Sequence, residues 1–534
     1  MLDVALRGGT LVDGTGAPPR RGDIGVQNGR IVAIGTLDPP DATASIDVSG
    51  LVVAPGFLDI HSHSDATLIV DPRARSSIAQ GVTTEVVGNC GHAPAPLVNP
   101  RDVPDLVFGY NPALQVDWTT VDGYLQTLER VQPAVNVATL AGHIPLRLAA
   151  LGRAPRPATP VELDHMVQQL EEAFDAGAFG FSSGLEYPLG LACTTEELVV
   201  LARATGRLGG YYAIHTRDRD FKAVEAFDEA FEVGRRAEVP LQVSHLTPRY
   251  GAPPDAAKRA LQAIDDARAR GDDVSCDQHT RLHGLTKVVT MLPPTALEGG
   301  TPELLRRLRD PAVRAEYRAF PQPLFKMGLM NEWERIALFE ARHSPEWVGR
   351  DFKAIGEERG QHPLDALMDI LIEAGEDAPN VLMTGLVHKE EELEQTFIHP
   401  TCMPESDATA LATDGPLASQ SFLGAYTWAT YYLRRFVRER AALSLQEGIH
   451  RLTQLPARRL GVDDRGVLRE AACADLVVFD PQTIAERGTL RAPNQYATGV
   501  QHVLVNGRFA MRDGAFTDDR AGAVLRRNAD QPAR

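Results

Sequence analysis

Residues 211–248 read YYAIHTRDRDFKAVEAFDEAFEVGRRAEVPLQVSHLTP. The stretch opens and closes on apolar, strand-like runs, YYAIH (211–215) and VPLQVSH (239–245), and each run ends on a histidine. Between them, KAVEAFDEAFEV sets Val224, Phe227 and Phe231 on one face of a predicted helix. The pattern then repeats. A helix is expected from Asp255, a good N-cap, with Ala257, Leu261 and Ile264 on one face and a stop at Gly271, followed by the strand DVSCDQH (273–279). Near-continuous apolar strands alternating with amphipathic helices imply a parallel sheet covered on both faces. Upstream, VTTEVVGNC (82–90), AVNVATLAGH (134–143) and AFGFSSGL (178–185) read as further strands, and ALATDGP (410–416) as a late one. This many β-α units favour a (β/α)8 barrel over a doubly wound sheet.

The two ends read differently. DIGVQNGRIVAIG turns at Asn28-Gly29 and HVLVNGRFAMRDGAF at Asn506-Gly507, both two-residue hairpin signals, and ADLVVFD (474–480) is a further strand. The expected organisation is a small β-sandwich built from both chain ends (1–56 and 466–534) around a barrel (57–465). The run PPTALEGGTPELLRRLRDPAVRAEYRAFPQP breaks the rhythm and marks an inserted subdomain at about 290–350.

The 534 residues are 43% hydrophobic and 23% charged, enough for a large core, with a formal net charge of −17. So acidic a chain argues against nucleic acid or an anionic membrane as partner. No apolar stretch approaches a membrane span, and MLDVALRGGTLVDG lacks the basic head and apolar run of a secretory leader. Five scattered cysteines without CxxC spacing suit reduced thiols in a cytoplasm. Self-association into a homo-oligomer is in keeping with such a barrel.

At the carboxyl ends of the predicted strands stand His61 and His63 in GFLDIHSHSD (56–65), then Cys90, His143, His215, His245, Asp277 with His279, and Asp414. In a barrel the catalytic residues come from those ends. Residues two apart on a strand point the same way, so His61 and His63 aim side by side. Imidazole, thiolate and carboxylate are ligands of zinc. One histidine at a strand end is more often a hydrogen-bonded core residue, and Cys90 alone a small buried hydrophobe. Several together, with Cys90 in a glycine-flanked turn, favour a metal site.

DIHSHSD, GVTTEVVGNCG, AIHTRD, QVSHLTP, ATDGP, LTQLPARRLGVDDRGVL and ADLVVFD together resemble the amidohydrolase superfamily, and within it the D-aminoacylase (N-acyl-D-amino-acid deacylase) branch. The similarity runs along nearly the whole chain, and GNCG is its most specific element. The resemblance implies a tight zinc site at Cys90, His215 and His245. It implies a weaker second site at His61, His63 and Asp414, with Cys90 as bridge. It also makes Asp414 the proton shuttle between the attacking hydroxide and the leaving nitrogen. His143, in LAGHIPLR, matches a recurrent GH-x-x-x-R feature, either as an orienting hydrogen bond or facing substrate. Zinc would bring the pKa of a bound water from about 16 toward about 7 and polarise the carbonyl.

The chain departs from the branch where substrate is held. Typical members carry a lysine where Thr247 stands, a Tyr-Pro-Tyr stretch in the region CDQHTRLHGLT, and an arginine soon after the aspartate, where DGPLASQSFLGAYTWATYYLRR offers none before Arg434. Arg249, Tyr250, His279 and Arg281 are the candidates for a replacement anion site, with solvated loop positions as the alternative. Tyr426 and Trp428 either line an apolar pocket or pack. The expected function is zinc-dependent cleavage of a linear N-acyl amide, such as an N-acyl-D-amino acid. Hydrolysis of a cyclic amide, carbamate or lactone on the same centre is the first rival, and a non-catalytic barrel scaffold the second.

Overall fold

A computed structural model describes residues 1–38 and 42–527. The expected C-terminal segment 466–534 therefore has its last seven positions outside the described residues. Strands from both ends of the chain share one nine-stranded sheet. In it Val52–Pro55 pairs with Leu476–Phe479 antiparallel, so the N- and C-terminal segments are stitched by a backbone ladder. Its own core combines Val4, Leu6, Ile24 and Val53 with Leu476, Val478 and Leu504. Both hairpins form where expected. Asn28 and Gly29 have φ of 51° and 75°, and Asn506 and Gly507 of 47° and 80°, the left-handed pair that a tight hairpin requires.

The barrel strands are Phe57–Asp59, Val82–Val87, Asn136–Thr139 continued by Ala141–Gly142, Gly180–Gly184, Tyr211–His215, Leu241–Val243, Val274–His279 and Cys402–Glu405. Every pairing among them is parallel. The interior is filled by Leu58, Val86, Ala138, Phe179, Tyr211, Ala213 and Met403. Side chains on a strand alternate, so a residue two or four beyond one of these also points inward but nearer the mouth. His215 follows Tyr211 and Ala213 in this way.

Two expectations are corrected. ALATDGP is not a strand; the last barrel strand is Cys402–Glu405. Pro404 inside it argued against a strand by sequence, since proline cannot donate to a ladder. One flank pairs with Val274–His279. The other reaches the first strand through Ser406 N–H to Asp59 (3.1 Å) and Asp407 N–H to the His61 carbonyl (3.0 Å). The insertion is also longer than 290–350. The strands His283–Lys287, Leu382–Leu386 and Ile336–Glu340 form a separate antiparallel sheet. The helices Thr301–Leu308, Pro311–Arg318, Phe352–Arg359 and Pro363–Ala374 accompany it. The amphipathic pattern of PLDALMDILIEA (363–374) imitates a barrel helix, which hides the true end of the insertion. Among the described residues no helix is long and apolar enough to cross a membrane.

Candidate active and metal site

His61, His63, Cys90 and Asp407 bring one ligand atom each within 4.8 Å of one another, and Cys90, His215 and His245 do the same. Cys90 belongs to both groups. Its Sγ lies 3.2 Å from His61 Nε2 and 3.3 Å from His245 Nε2. All six side chains are buried or nearly so.

The backbone is bent to bring them together. Cys90, His245 and Asp407 have φ of 53°, 36° and 43°, a region costly for residues other than glycine and concentrated at functional sites. Gly88 and Gly91 flank Cys90 at 81° and 73°. A Cβ on Gly91 would stand 2.7 Å from the Gly184 nitrogen, so only glycine lets the Cys90 turn pack against the neighbouring strand. Two backbone bonds lay the last loop across the first: Asp407 N–H to the His61 carbonyl, and His63 N–H to the Ala408 carbonyl at 2.8 Å. Asp407 Oδ1 thereby reaches His63 Nε2 at 3.2 Å and stands 3.9 Å from His61 Nε2.

Carboxylates behind the cluster orient the rings. His61 Nδ1 is 3.3 Å from Asp277, which also accepts the His245 N–H at 2.6 Å. His215 Nε2 is 2.7 Å from Glu186, and its Nδ1 is buried without a partner. Burial, with Arg219 and Arg249 adding to it against the Glu186 bond, lowers His215 to about 4, so the ring is neutral. Burial alone would raise the Cys90 thiol, yet the adjacent His61 and His63 imidazoles bring it below the ordinary thiol range. For Asp407, too, burial is outweighed: the His63 hydrogen bond and the Arg281 guanidinium hold the carboxyl well below the usual range. The neutral His215 imidazole with a bare nitrogen, a thiol inclined to ionise and an ionised carboxylate are forms that ligate a divalent metal. The donor set therefore fits zinc.

Asp414 is corrected. Its side chain is 55% exposed and lies between Arg73 (3.0 Å) and Arg75 (2.6 Å) on the outer surface. The aspartate of the cluster is Asp407, in PESDATA, seven positions earlier. The available signal was its place immediately after a strand, but Pro404 concealed that strand. His143 is not brought to the cluster either. It is bound by Glu197 at 2.8 Å, which also pairs with Arg147 at 2.5 Å.

Of the proposed anion site, Arg249 is buried in ion pairs with Glu186 and, at 3.0 Å, Asp220. Arg281 clamps the last loop, reaching the Ser406 carbonyl, the Asp407 carbonyl (3.0 Å) and Asp407 Oδ2 (3.2 Å). Both guanidiniums pair with carboxylates, while Arg249 Nε and Nη1 and Arg281 Nε are buried without a partner. The Tyr250 ring lies under Arg335 of the insertion at 3.9 Å, in a stacking contact. His279 stays at the mouth, paired with His388 of the insertion. Thr247 turns to Thr396 (2.9 Å), Tyr426 packs on Tyr496, and Trp428 is buried. Glu186, Arg219 (whose Nη1 donates to the His245 carbonyl at 3.0 Å), Asp407 and His388 were all missed. Glu186 lies two positions past the strand Gly180–Gly184, a legible cue, whereas nothing local marks His388.

The family model described as amidohydrolase family matches residues 44–511. The D-aminoacylase of Alcaligenes xylosoxydans xylosoxydans is 33% identical over 99% of this chain and 98% of its own length. The solved N-acyl-D-glutamate deacylase of Bordetella bronchiseptica, complexed with zinc and a phosphonate mimic of the tetrahedral intermediate, superposes with a TM-score of 0.81. It is 32% identical over 98% of this chain and 99% of that one. A D-aminoacylase structure, described as having a binuclear centre with one-metal activation and second-metal attenuation, superposes at 0.80. It is 30% identical, covering 99% and 100%.

Proposed function

Because this chain belongs to the amidohydrolase family, we propose that it is a zinc-dependent hydrolase of a linear N-acyl amide, with N-acyl-D-amino acids as the first class to test. The observation that carries the reading is Cys90 standing in both ligand groups. Cys90, His215 and His245 would hold the tight ion, and His61, His63 and Asp407, with Cys90 shared, a weaker second one. Zinc there supplies a Lewis acid for the carbonyl oxygen and acidifies a water molecule.

The chain's own residues do the rest. Glu186 fixes the His215 ring so that Nδ1 faces the ligand position, and Asp277, bound at His61 Nδ1, leaves His61 Nε2 to face it. Asp407 is the base that takes the proton of the attacking water and delivers it to the leaving nitrogen, which is a poor leaving group without it. Arg281 holds that carboxylate in place through Oδ2 and the main chain. The five cysteines are all buried and free, in keeping with a reducing compartment such as the cytoplasm.

The test is a panel of N-acyl-D-, N-acyl-L- and cyclic amides assayed on zinc-loaded protein of measured metal content. Turnover of an N-acyl-D-amino acid or a related linear amide is expected. Full zinc occupancy with turnover confined to cyclic substrates would overturn the reading.

A further inference from the structure

His388, the residue after the insertion's strand Leu382–Leu386 and Val387, reaches into the barrel mouth. Its Nδ1 is 3.1 Å from the Pro248 carbonyl, and its Nε2 is 3.3 Å from Nε2 of His279. Both rings are buried. These two contacts determine where the protons are. A carbonyl only accepts, so the His388 proton is on Nδ1 and its Nε2 is a lone pair. That lone pair must receive a hydrogen bond, so His279 carries its proton on Nε2. The remaining nitrogen, His279 Nδ1, is then a bare acceptor, and it is buried without a partner.

Its direction follows from the barrel. Asp277, two residues earlier on the same strand, points inward to His61 and to the His245 N–H. His279 therefore points inward as well, one step nearer the mouth. Its register partner is Glu405, which also faces the interior beside His61 and Asp277. Among the described residues neither His279 nor His388 has a carboxylate at hydrogen-bond distance that would hold a second proton. Burial, with Arg281 and His388 adding to it, keeps His279 neutral.

We infer that His279 reads a hydrogen-bond donor on the bound ligand, and that His388 of the insertion is the positioning residue that sets this polarity. The inference rests on the proposed reading of the mouth as the substrate site. It also reverses the expectation that His279 helps to bind an anion, because a bare lone pair repels a carboxylate. An unpaired buried acceptor discriminates strongly between ligands that do and do not donate to it. The donor it fits is the N–H of a secondary amide, or of the tetrahedral adduct formed from one.

Two measurements test this on the intact zinc-loaded protein. The first is the ¹⁵N imidazole spectrum, with the His279 signal assigned by its loss in His279→Phe. His279 should be protonated at Nε2 only, and His388→Phe should shift it toward a mixture of tautomers. The second compares a phosphonamidate, which carries an N–H, with the phosphonate ester that has oxygen in its place. The N–H compound should bind about 10-fold or more tightly. That preference should fall toward unity in His279→Phe and be partly restored in His279→Gln, whose amide oxygen still accepts. Binding of the N–H compound should also move the His279 Nδ1 resonance, and the ester should not.

A proton found on His279 Nδ1 in the wild type overturns the inference, as does an equal preference in wild type and His279→Phe. Failure of the hydrolase reading is a separate result, seen as absent turnover across the substrate panel. Neither the tautomer spectrum nor the comparison of the two inhibitors depends on turnover, so together they decide the inference in either case.

Discussion

His63 Nε2 stands 3.2 Å from Asp407 Oδ1, across 344 positions of sequence. The contact exists because the loop after the last barrel strand lies over the loop after the first, and it separates two aspartates that look interchangeable in the sequence.

Asp407→Asn keeps size and hydrogen-bonding shape but removes the proposed base. It should lower kcat by about 10²–10⁴-fold with a smaller change in KM. Asp414→Asn, on the surface between Arg73 and Arg75, should leave kcat within about twofold. Kinetics with zinc content measured alongside decide it. A near-normal Asp407→Asn enzyme that retains its zinc would move proton transfer elsewhere.

Glu186 touches the ring of His215 rather than the ligand position. Glu186→Gln should therefore weaken the tight metal site by about 10–100-fold, the usual effect of losing the group that orients a ligand histidine. Competition against a chelator measures this. An unchanged affinity would mean that the barrel wall holds the ring unaided.

Gly91→Ala should disturb the site from the backbone. Its φ of 73° and the 2.7 Å approach to the Gly184 nitrogen leave no room for a methyl group. A stability loss of about 1–3 kcal/mol is expected, together with reduced zinc retention as Cys90 shifts. Chemical unfolding and metal analysis are the readouts, and wild-type values for both would show that the turn has slack.

Lys287 anchors the insertion to the short helix Val103–Leu106 through the carbonyls of Pro104 (2.7 Å) and Asp105 (3.3 Å). Burial lowers it to about 8, with the Asp105 charge opposing and Arg153 adding to the shift. An unfolded lysine titrates near 10.4. Between about pH 8 and 10.4 the unfolded chain binds more protons, so this residue makes stability rise with pH there, by up to about 3 kcal/mol. Lys287→Met removes the effect. The melting temperature of the wild type relative to that variant should climb from pH 7.5 to 10, and a constant difference would contradict the assignment.

The barrel and most residues of the candidate site were legible because they depend on local regularities. Strand side chains alternate, so His215 and His245 could be read as strand-end residues facing the mouth. A cysteine in a glycine-flanked turn has few structural reasons to be there. The Asn-Gly hairpins were legible because two consecutive left-handed residues are a local demand that few other pairs meet. Tertiary structure alone decided which aspartate completes the cluster. A four-residue strand interrupted by proline has no sequence signature; its existence depends on the neighbour Val274–His279 and on the seam with the first strand. The same holds for His388. It meets His279 only because a subdomain inserted between two barrel strands folds back over the mouth, and no spacing along the chain records that return.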